Sequence, residues 1–195
     1  MTNFRSLVGG FYSATPLDKA SGPTSIRSNN PGAINGAAWE RNMPGYVDEV
    51  ETTPGNKTTI FEAPEYGVAC WWHLLSNYRK GGAITVGQII NRYGGGQDYS
   101  NYIAMVVKWS GLTENTEIKL DDTPTLLKFG KAMFQYEAGK TIPWSDEQIT
   151  YGIKLGQGVQ PPEPVVAEVE TVTITISLSI PKGAKVVVAS QGAVK

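Results

Sequence analysis

Ser25-Ile26-Arg27-Ser28-Asn29-Asn30-Pro31-Gly32-Ala33-Ile34 is the stretch of this chain that decides the fold. Pro31 fixes its own φ angle and Gly32 accepts a positive φ, so Asn-Asn-Pro-Gly predicts a rigid turn before an apolar, strand-like residue. Amide side chains donate and accept hydrogen bonds, and two amides held in a turn can therefore line a sugar site. The residues leave open whether Asn29 and Asn30 contact a ligand or only brace the turn.

Composition sets the class of the protein. The chain has 195 residues, of which 41% are hydrophobic and 18% charged, and this is typical of a globular domain with an appendage. A net charge of −1 argues against nucleic acid as a partner. No apolar stretch approaches the roughly 18–20 residues of a membrane span. The start of the chain lacks the pattern of a signal peptide.

Apolar periodicity and capping residues predict a mostly helical, α+β domain. We expect helices over about 64–79, 85–93, 99–110, 123–138 and 145–155. Before them, a short strand near 33–34 and a strand ending at 61 should form a small β-hairpin region. An acidic loop with Asp48, Glu49 and Glu51 is expected between these strands.

Breakers and composition shifts divide the chain into four parts. Residues 1–23 read as an irregular arm and 24–157 as the helical domain. Residues 158–170 form a linker rich in proline and acidic residues. Strict alternation over Val172–Ile180, followed by Pro181-Lys182-Gly183, predicts a β-hairpin over 171–195. A lone hairpin is marginal in water, so it should meet the domain, a second copy or another protein.

The motifs of residues 24–157 resemble, in their order, a family of small phage and prophage proteins that carry Arg-x-Asn-Asn-Pro-Gly-x-Ile. Members are labelled structural proteins and are endolysin-like. The resemblance is carried by the turn, by Trp39 and by four later elements. These are Phe61, Pro64, Glu65 and Gly67; Tyr78, Gly81, Gly82 and Thr85; Tyr102, Ile103 and Val106; and Glu137 with Gly139. Autolysin N-acetylglucosaminidases show a fainter similarity.

This resemblance implies a lysozyme-like domain that degrades bacterial peptidoglycan. A glutamate at a helix end followed by a small residue and Gly also looks like the catalytic Glu-Ser-Gly of lytic transglycosylases. There the glutamate helix precedes the sugar-binding hairpin, whereas Glu137 would follow it, so the order implies a circular permutation. Tyr136 stands where the phage family has His. The implied locations are the virion or the host cytoplasm before lysis, with action in the periplasm or cell wall.

The residue inventory leaves acid–base chemistry by carboxylates. One histidine and one cysteine cannot build a conventional zinc site, so we predict no metal and no cofactor. His73 and Cys70 lie in an apolar helical context and are expected to pack, with Cys70 a buried inert thiol.

Glu137 is the expected general acid. The negative end of a helix and its apolar neighbours disfavour the charged form. Glu65 lies at a helix start, where the dipole favours the anion, so it is expected to be a poor acid.

A second carboxylate and a sugar platform complete the predicted site. Glu49 and Glu51 of the acidic loop are the candidate second catalytic groups, although charges in a loop also occur simply solvated. Trp39 and Trp72 are candidates for stacking on sugar rings, and Tyr93 for lining the groove. Trp71 is expected in the core.

Three functions remain open at this point. The first is a phage glycosidase or lytic transglycosylase that cuts peptidoglycan glycan strands. The second is a virion structural protein that keeps the fold, lacks the chemistry, and assembles with other virion proteins or itself through its C-terminal strands. The third is a wall-binding module without cleavage. A cleft carboxyl at Glu137 near the turn favours the enzyme.

Overall fold

The computed structural model describes residues 4–8, 11–12, 22–95 and 98–159. The predicted C-terminal hairpin and all but the start of the predicted linker lie outside these residues. The described part is α+β and mostly helical. Two short strands, β1 (Phe4–Arg5) and β2 (Phe11–Tyr12), pair antiparallel where an irregular arm was expected.

The elements that follow begin around the Asn-Asn-Pro-Gly turn. Helix α1 (Thr24–Arg27) precedes the turn, and a 3-10 helix (Ala38–Asn42) comes after it. Strands β3 (Tyr46–Thr53) and β4 (Asn56–Phe61) form an antiparallel hairpin. The main helices are α2 (Pro64–Lys80), α3 (Val86–Tyr93), α4 (Ser100–Ser110), α5 (Thr123–Ala138) and α6 (Asp146–Gly156).

The five main helices lie close to their predicted bounds because their capping signals are strong. Pro64 occupies the first turn of α2. Thr85 and Ser145 each accept a backbone hydrogen bond from a Gln at the third helical position, which completes a capping box at α3 and α6. Gly111 and Gly139 end α4 and α5 in the left-handed conformation.

The acidic segment is a strand, and the prediction of a loop there was wrong. Residues 46–53 pair with β4, including Glu49 with Thr59 and Glu51 with Lys57, and the register shifts near each end of the strand. Conversely, the expected strand at 33–34 is reduced to a single bridge between Asn35 and Thr58. Acidic residues have low β-propensity, and for this reason the sequence did not indicate a strand here. In the structure, cross-strand pairing with the polar strand β4 outweighs that low propensity.

A buried aromatic cluster forms the core around α2. Trp71 is fully buried, as expected, and its ring lies 5.1 Å from Phe134 edge-on and 5.9 Å from Phe129. These contacts join α2 to α5, so the end of α5 is held at a defined position relative to α2.

The Asn-Asn-Pro-Gly turn is held by amide hydrogen bonds to strand β4. Asn30 Nδ2 donates to the carbonyls of Ile34 at 2.9 Å and Thr59 at 3.0 Å, and Asn30 Oδ1 accepts from the Ile34 amide. Asn29 Nδ2 donates to the Phe61 carbonyl at 3.0 Å. Both asparagines are fully buried. The turn is therefore fastened to the sheet by side chains that replace missing backbone pairs.

Helix α2 begins directly against this turn. A Cβ at Gly67 would lie 2.0 Å from the backbone oxygen of Asn29, which is far too close for any side chain. Asn29 itself has a φ of 51°, a left-handed conformation that Asn tolerates better than most residues. The close approach thus depends on a glycine at position 67.

No helix in the described ranges is long and apolar enough to cross a membrane.

Replacing Asn30 by Ala should strongly destabilise the fold. The substitution removes three hydrogen bonds to buried backbone groups and leaves the Ile34 carbonyl with only a longer bond, from the Thr59 amide at 3.4 Å. This loss costs about 3 kcal/mol or more in free energy of unfolding. Urea unfolding followed by circular dichroism measures this loss. Asn77→Ala, at an exposed position of α2, is the matched control and should change the free energy by less than about 0.5 kcal/mol. Equal losses in both variants would contradict the role given to Asn30.

Candidate functional site

A cleft of about 490 Å³ lies between the residues after the turn, the β3–β4 hairpin and the four helices α1, α2, α3 and α5. Ala33 and Ile34 line it directly after the turn, the 3-10 helix contributes Trp39 and Glu40, and α5 contributes Glu137. The remaining lining residues are Thr24, Asn35, Ala37, Thr52, Asn56, Thr58, Leu74, Tyr78 and Tyr93. Its volume is typical of a small-molecule site, and its walls combine aromatic, amide, hydroxyl and carboxyl groups.

Glu137 lies in this cleft, half-buried in the last turn of α5. Burial raises the pKa of its carboxyl, and the hydroxyl of Tyr102 opposes this effect by donating to Oε1 at 2.6 Å. Oε2 has no hydrogen-bond partner among the described residues and is not fully buried. No basic residue lies in the last turn of α5. Glu137 therefore tends to stay protonated, and it has the accessible oxygen that a proton donor needs.

Tyr102 fixes the direction of the Glu137 carboxyl. It comes from α4, is buried, and stacks on Tyr136 of α5 with ring centroids 3.7 Å apart and planes 12° from parallel. This stacking leaves the Tyr102 hydroxyl little freedom. Burial, followed by the charge of Glu137, raises the pKa of Tyr102, so the phenol stays protonated and remains a donor.

Glu40 is a second carboxyl in the same cleft, and sequence reasoning missed it. Only 1% of Glu40 is exposed. Its Oε2 accepts from the Thr59 hydroxyl and its Oε1 from the Ala37 amide at 3.3 Å. Burial raises its pKa, against the lowering effect of these two hydrogen bonds. The available signal was its position directly after Trp39 in a short helical segment.

Tyr93 connects the cleft to the turn. Its hydroxyl donates to the Gly32 carbonyl, so α3 is tied to the Asn-Asn-Pro-Gly turn. Burial first, then the charges of Glu137, Tyr78 and Glu40, raises the pKa of Tyr93. Tyr93 thus lies within electrostatic reach of both cleft carboxyls. Its hydroxyl proton is already donated to the Gly32 carbonyl.

Neither asparagine of the turn faces the cleft. Asn29 and Asn30 are fully buried and are absent from the cleft wall, because their amides are spent on the carbonyls described above. Their contribution is to set the backbone of Ala33 and Ile34 along the wall. Asn35 and Asn56 do line the cleft, and their side-chain amides could contact a ligand directly.

The structure does not bring Glu49 and Glu51 to the cleft. Glu49 forms ion pairs with Arg41 at 2.8 Å and Lys57 at 3.6 Å, and the hydrogen bond from Arg41 is the main reason that its pKa is lowered. Glu51 is exposed and accepts from the Gly55 amide in the hairpin turn. Both carboxylates are engaged in these contacts, and Glu40 instead is the second acidic residue of the cleft wall.

The two candidate tryptophans line different pockets. Trp39 is half-buried in the cleft wall beside Glu40. Trp72 lines a different pocket of about 650 Å³ together with Arg79 and Leu120, and its indole donates to the Leu120 carbonyl at 3.0 Å. Positions 72 and 79 share one helical face, whereas Leu74 and Tyr78 of the cleft wall lie on the opposite one.

The other chemistry-bearing residues lie outside the cleft wall. Cys70 is fully buried and its pKa is raised, so it is an inert thiol. Partial burial lowers the pKa of His73, which favours the neutral imidazole. In the described ranges, no cluster of three or more His, Cys, Asp or Glu side chains could hold a metal ion.

The pKa of Glu65 is raised, whereas a position at a helix start was expected to favour the charged carboxylate. It is fully buried, and burial raises its pKa although Ser6 and backbone amides donate to it. Desolvation therefore outweighs the helix dipole at this position. Glu65 does not line the cleft, so its carboxyl belongs to the packing between α2 and the N-terminal segment.

Replacing Tyr102 by Phe should raise the pKa of Glu137 further. The phenol stabilises the charged carboxylate, and its loss leaves burial unopposed. A carboxyl-carbon NMR titration of Glu137 measures the shift towards higher pH. Tyr99→Phe is the matched control, because Tyr99 packs edge-on against Tyr102 without bonding to Glu137. An unchanged or lower midpoint in Tyr102→Phe would contradict this arrangement.

Comparison with known proteins adds no family to this geometry. No protein-family model matches the chain. No curated protein matches its sequence either. The cleft is therefore the feature of the structure that bears on function, and the phage resemblance remains an expectation.

Proposed function

We propose that this protein cleaves the β-1,4 glycan strands of peptidoglycan, as a lysozyme-like muramidase or lytic transglycosylase of a phage. The observation that carries the proposal is the position of Glu137. It is a half-buried carboxyl with a raised pKa, held by Tyr102 in a cleft that also contains an indole and several amides. Glycoside cleavage needs a carboxylic acid that stays protonated at the pH of the reaction.

Glu137 acts as the general acid in this proposal. Its Oε1 is held by the Tyr102 phenol, so Oε2 is the oxygen that presents a proton to the bridging oxygen of the glycan. Donating that proton allows the leaving sugar to depart as an alcohol. A fixed carboxyl also avoids the entropic cost of orienting it during the reaction.

The cleft offers contacts that suit an N-acetylated sugar. Trp39 provides an aromatic face for the apolar side of a sugar ring. Asn35 and Asn56, with Thr52 nearby, supply amide and hydroxyl groups that can pair with an acetamido group and with ring hydroxyls. Neutral donors and acceptors of this kind match glycan strands better than they match a nucleic acid backbone, which requires cations.

The element order supports a permuted lysozyme-like arrangement. The small hairpin β3–β4 precedes the helix that carries Glu137, which is the reverse of the order in lytic transglycosylases. Hairpin and helix end nevertheless contribute to the same cleft. The phage assignment, the association with a virion and delivery to the cell wall rest on the sequence resemblance alone.

A non-catalytic virion structural protein is the alternative. It would assemble through the predicted C-terminal strands, which lie outside the described residues. A cleft lined by carboxyl groups with raised pKa is unnecessary for that role, and buried carboxyls cost stability. The cleft therefore favours the enzyme, and the first experiment below separates the two.

Glu137→Gln should abolish glycan cleavage. The amide keeps the shape of the side chain but cannot donate an acidic proton, so the rate should fall about a hundredfold or more. Release of soluble fragments from purified peptidoglycan, with mass spectrometry of the products, measures the rate. Glu147→Gln, on the exposed surface of α6, is the control.

The pattern of results identifies the function. Loss of activity in Glu137→Gln alone supports the assignment of the acid. Equal activity in both variants keeps the enzyme and overturns the role of Glu137. No release by the wild-type protein, at any pH tested, overturns the enzyme and leaves the structural role.

Trp39→Ala should weaken glycan binding about tenfold, which corresponds to about 1.4 kcal/mol. The loss of an aromatic face removes stacking against the sugar ring. Isothermal titration with chitin oligosaccharides measures the dissociation constant, using the Glu137→Gln background to prevent turnover. Trp109→Ala is the control, since Trp109 is 39% exposed on α4 and lies outside the cleft wall. Equal binding by both variants would remove Trp39 from the site.

A further inference from the structure

The proposed acid leaves one carboxyl of the cleft without a role. Glu40 and Glu137 are the acidic residues that line the cleft among the described residues. They come from separate elements, since Glu40 lies on the 3-10 helix packed against β4 and Glu137 at the end of α5. A glycan bound in the cleft would therefore have carboxyl groups from two different walls.

The hydrogen bonds of Glu40 favour its charged form, against the burial that raises its pKa. Both of its oxygens accept hydrogen bonds, from the Thr59 hydroxyl and from the Ala37 amide. Glu137 has a single donor, Tyr102. Donors that point at a carboxylate favour its charged form, so the hydrogen bonds support the anion more at Glu40 than at Glu137, although burial raises the pKa of both.

No cation compensates Glu40 among the described residues. The nearby Arg41 is paired with Glu49 on β3 instead. A buried carboxylate without a cationic partner is costly for stability, and such a cost is typical of functional sites. The uncompensated charge can act on a bound ligand across the cleft wall, where the low dielectric makes electrostatic interactions strong.

We infer that Glu40 supplies the negative charge that stabilises the cation developing at the anomeric carbon, and that the reaction consequently ends in hydrolysis. This inference rests on the proposed glycan cleavage. Because only 1% of Glu40 is exposed, we expect it to act on the sugar through space, as a fixed anion, and to form no covalent bond to it.

The step balances with one water and no other reactant. Glu137 gives its proton to the bridging oxygen while the bond from that oxygen to the anomeric carbon breaks, and the leaving sugar keeps the new hydroxyl. The remaining sugar carries a positive charge facing Glu40. A water molecule adds its oxygen to the anomeric carbon and returns one proton to the Glu137 carboxylate. In the competing anhydro reaction, the sugar's own hydroxyl would take the place of water.

Among the described residues, no cation contributes to the pKa shift of Glu40 or Glu137. Glu40 is within electrostatic reach of Glu49 from β3, Cys70 from α2 and Tyr93 from α3. Glu137 faces Tyr102 from α4 and Tyr93 from α3. The thiol and both phenols have raised pKa values and stay neutral, and the hydrogen bond from Arg41 lowers the pKa of Glu49. The two cleft carboxyls are therefore the groups with a raised pKa that titrate near the substrate as the pH rises from acid.

The first test uses the wild-type protein in water enriched in heavy oxygen. Hydrolysis incorporates the heavy oxygen into a new reducing end, which mass spectrometry of the released fragments detects. Fragments with an anhydro end and no heavy oxygen would overturn the inference while leaving glycan cleavage intact. Absence of any fragment would overturn the proposed function, and this inference with it.

The second test is the pH profile of kcat/KM for wild type, Glu40→Gln and Glu40→Asp. The wild-type rate should fall on the acid side as Glu40 gains a proton, and on the alkaline side as Glu137 loses one. Glu40→Gln should lower the maximum about a hundredfold and lose the acid limb, whereas Glu40→Asp should keep the limb with reduced rate. A merely structural role would lower the rate without removing the limb.

The outcomes separate the two proposals. An unchanged maximum and acid limb in Glu40→Gln, with an active wild type, would overturn the role of Glu40 alone. Circular dichroism establishes whether Glu40→Gln is folded. If Glu40→Gln is not folded, the heavy-oxygen product and the acid limb retained in Glu40→Asp test the role of Glu40 instead. A wild-type pH profile without an acid limb would contradict that role.

Discussion

The hydrogen bonds of the Asn30 amide are the constraint on which the rest of the structure depends. One buried side chain joins the carbonyls of Ile34 and Thr59 and accepts from the Ile34 amide, so it locks the turn to β4. That lock orients Ala33 and Ile34 along the cleft and brings Thr59 to the carboxyl of Glu40. A wall of the cleft is thus set by a residue that never faces it.

The cleft carboxyls differ through their hydrogen-bond donors rather than their burial alone. Burial raises the pKa of both Glu40 and Glu137, and at each carboxyl hydrogen-bond donors from neighbouring segments oppose this effect. A backbone amide and a strand hydroxyl serve Glu40, and a stacked phenol serves Glu137. A difference between two carboxyls in the support for their charged form therefore arises from ordinary packing, and no basic residue is among the described residues that line the cleft.

Local signals predicted the helices and the helix-end position of Glu137, while tertiary contacts decided the rest. Capping boxes at Thr85 and Ser145 and the helix-end position of Glu137 are readable from neighbouring residues. The strand character of residues 46–53 depends on a partner strand, and the roles of Glu40 and Glu65 depend on burial by distant segments. The outward direction of Trp72 follows from which face of α2 meets the cleft. None of these appears in a short window of sequence.

The close approach of Gly67 to Asn29 also limits how the turn can be transferred. A designer who grafts Asn29–Gly32 onto another scaffold would carry over a loop whose backbone oxygen occupies the space of a side chain on the next helix. The smallest portable unit is the turn together with its β4 carbonyls and a helix that has glycine at the equivalent of position 67. These segments constitute one module, although about thirty positions of chain separate them.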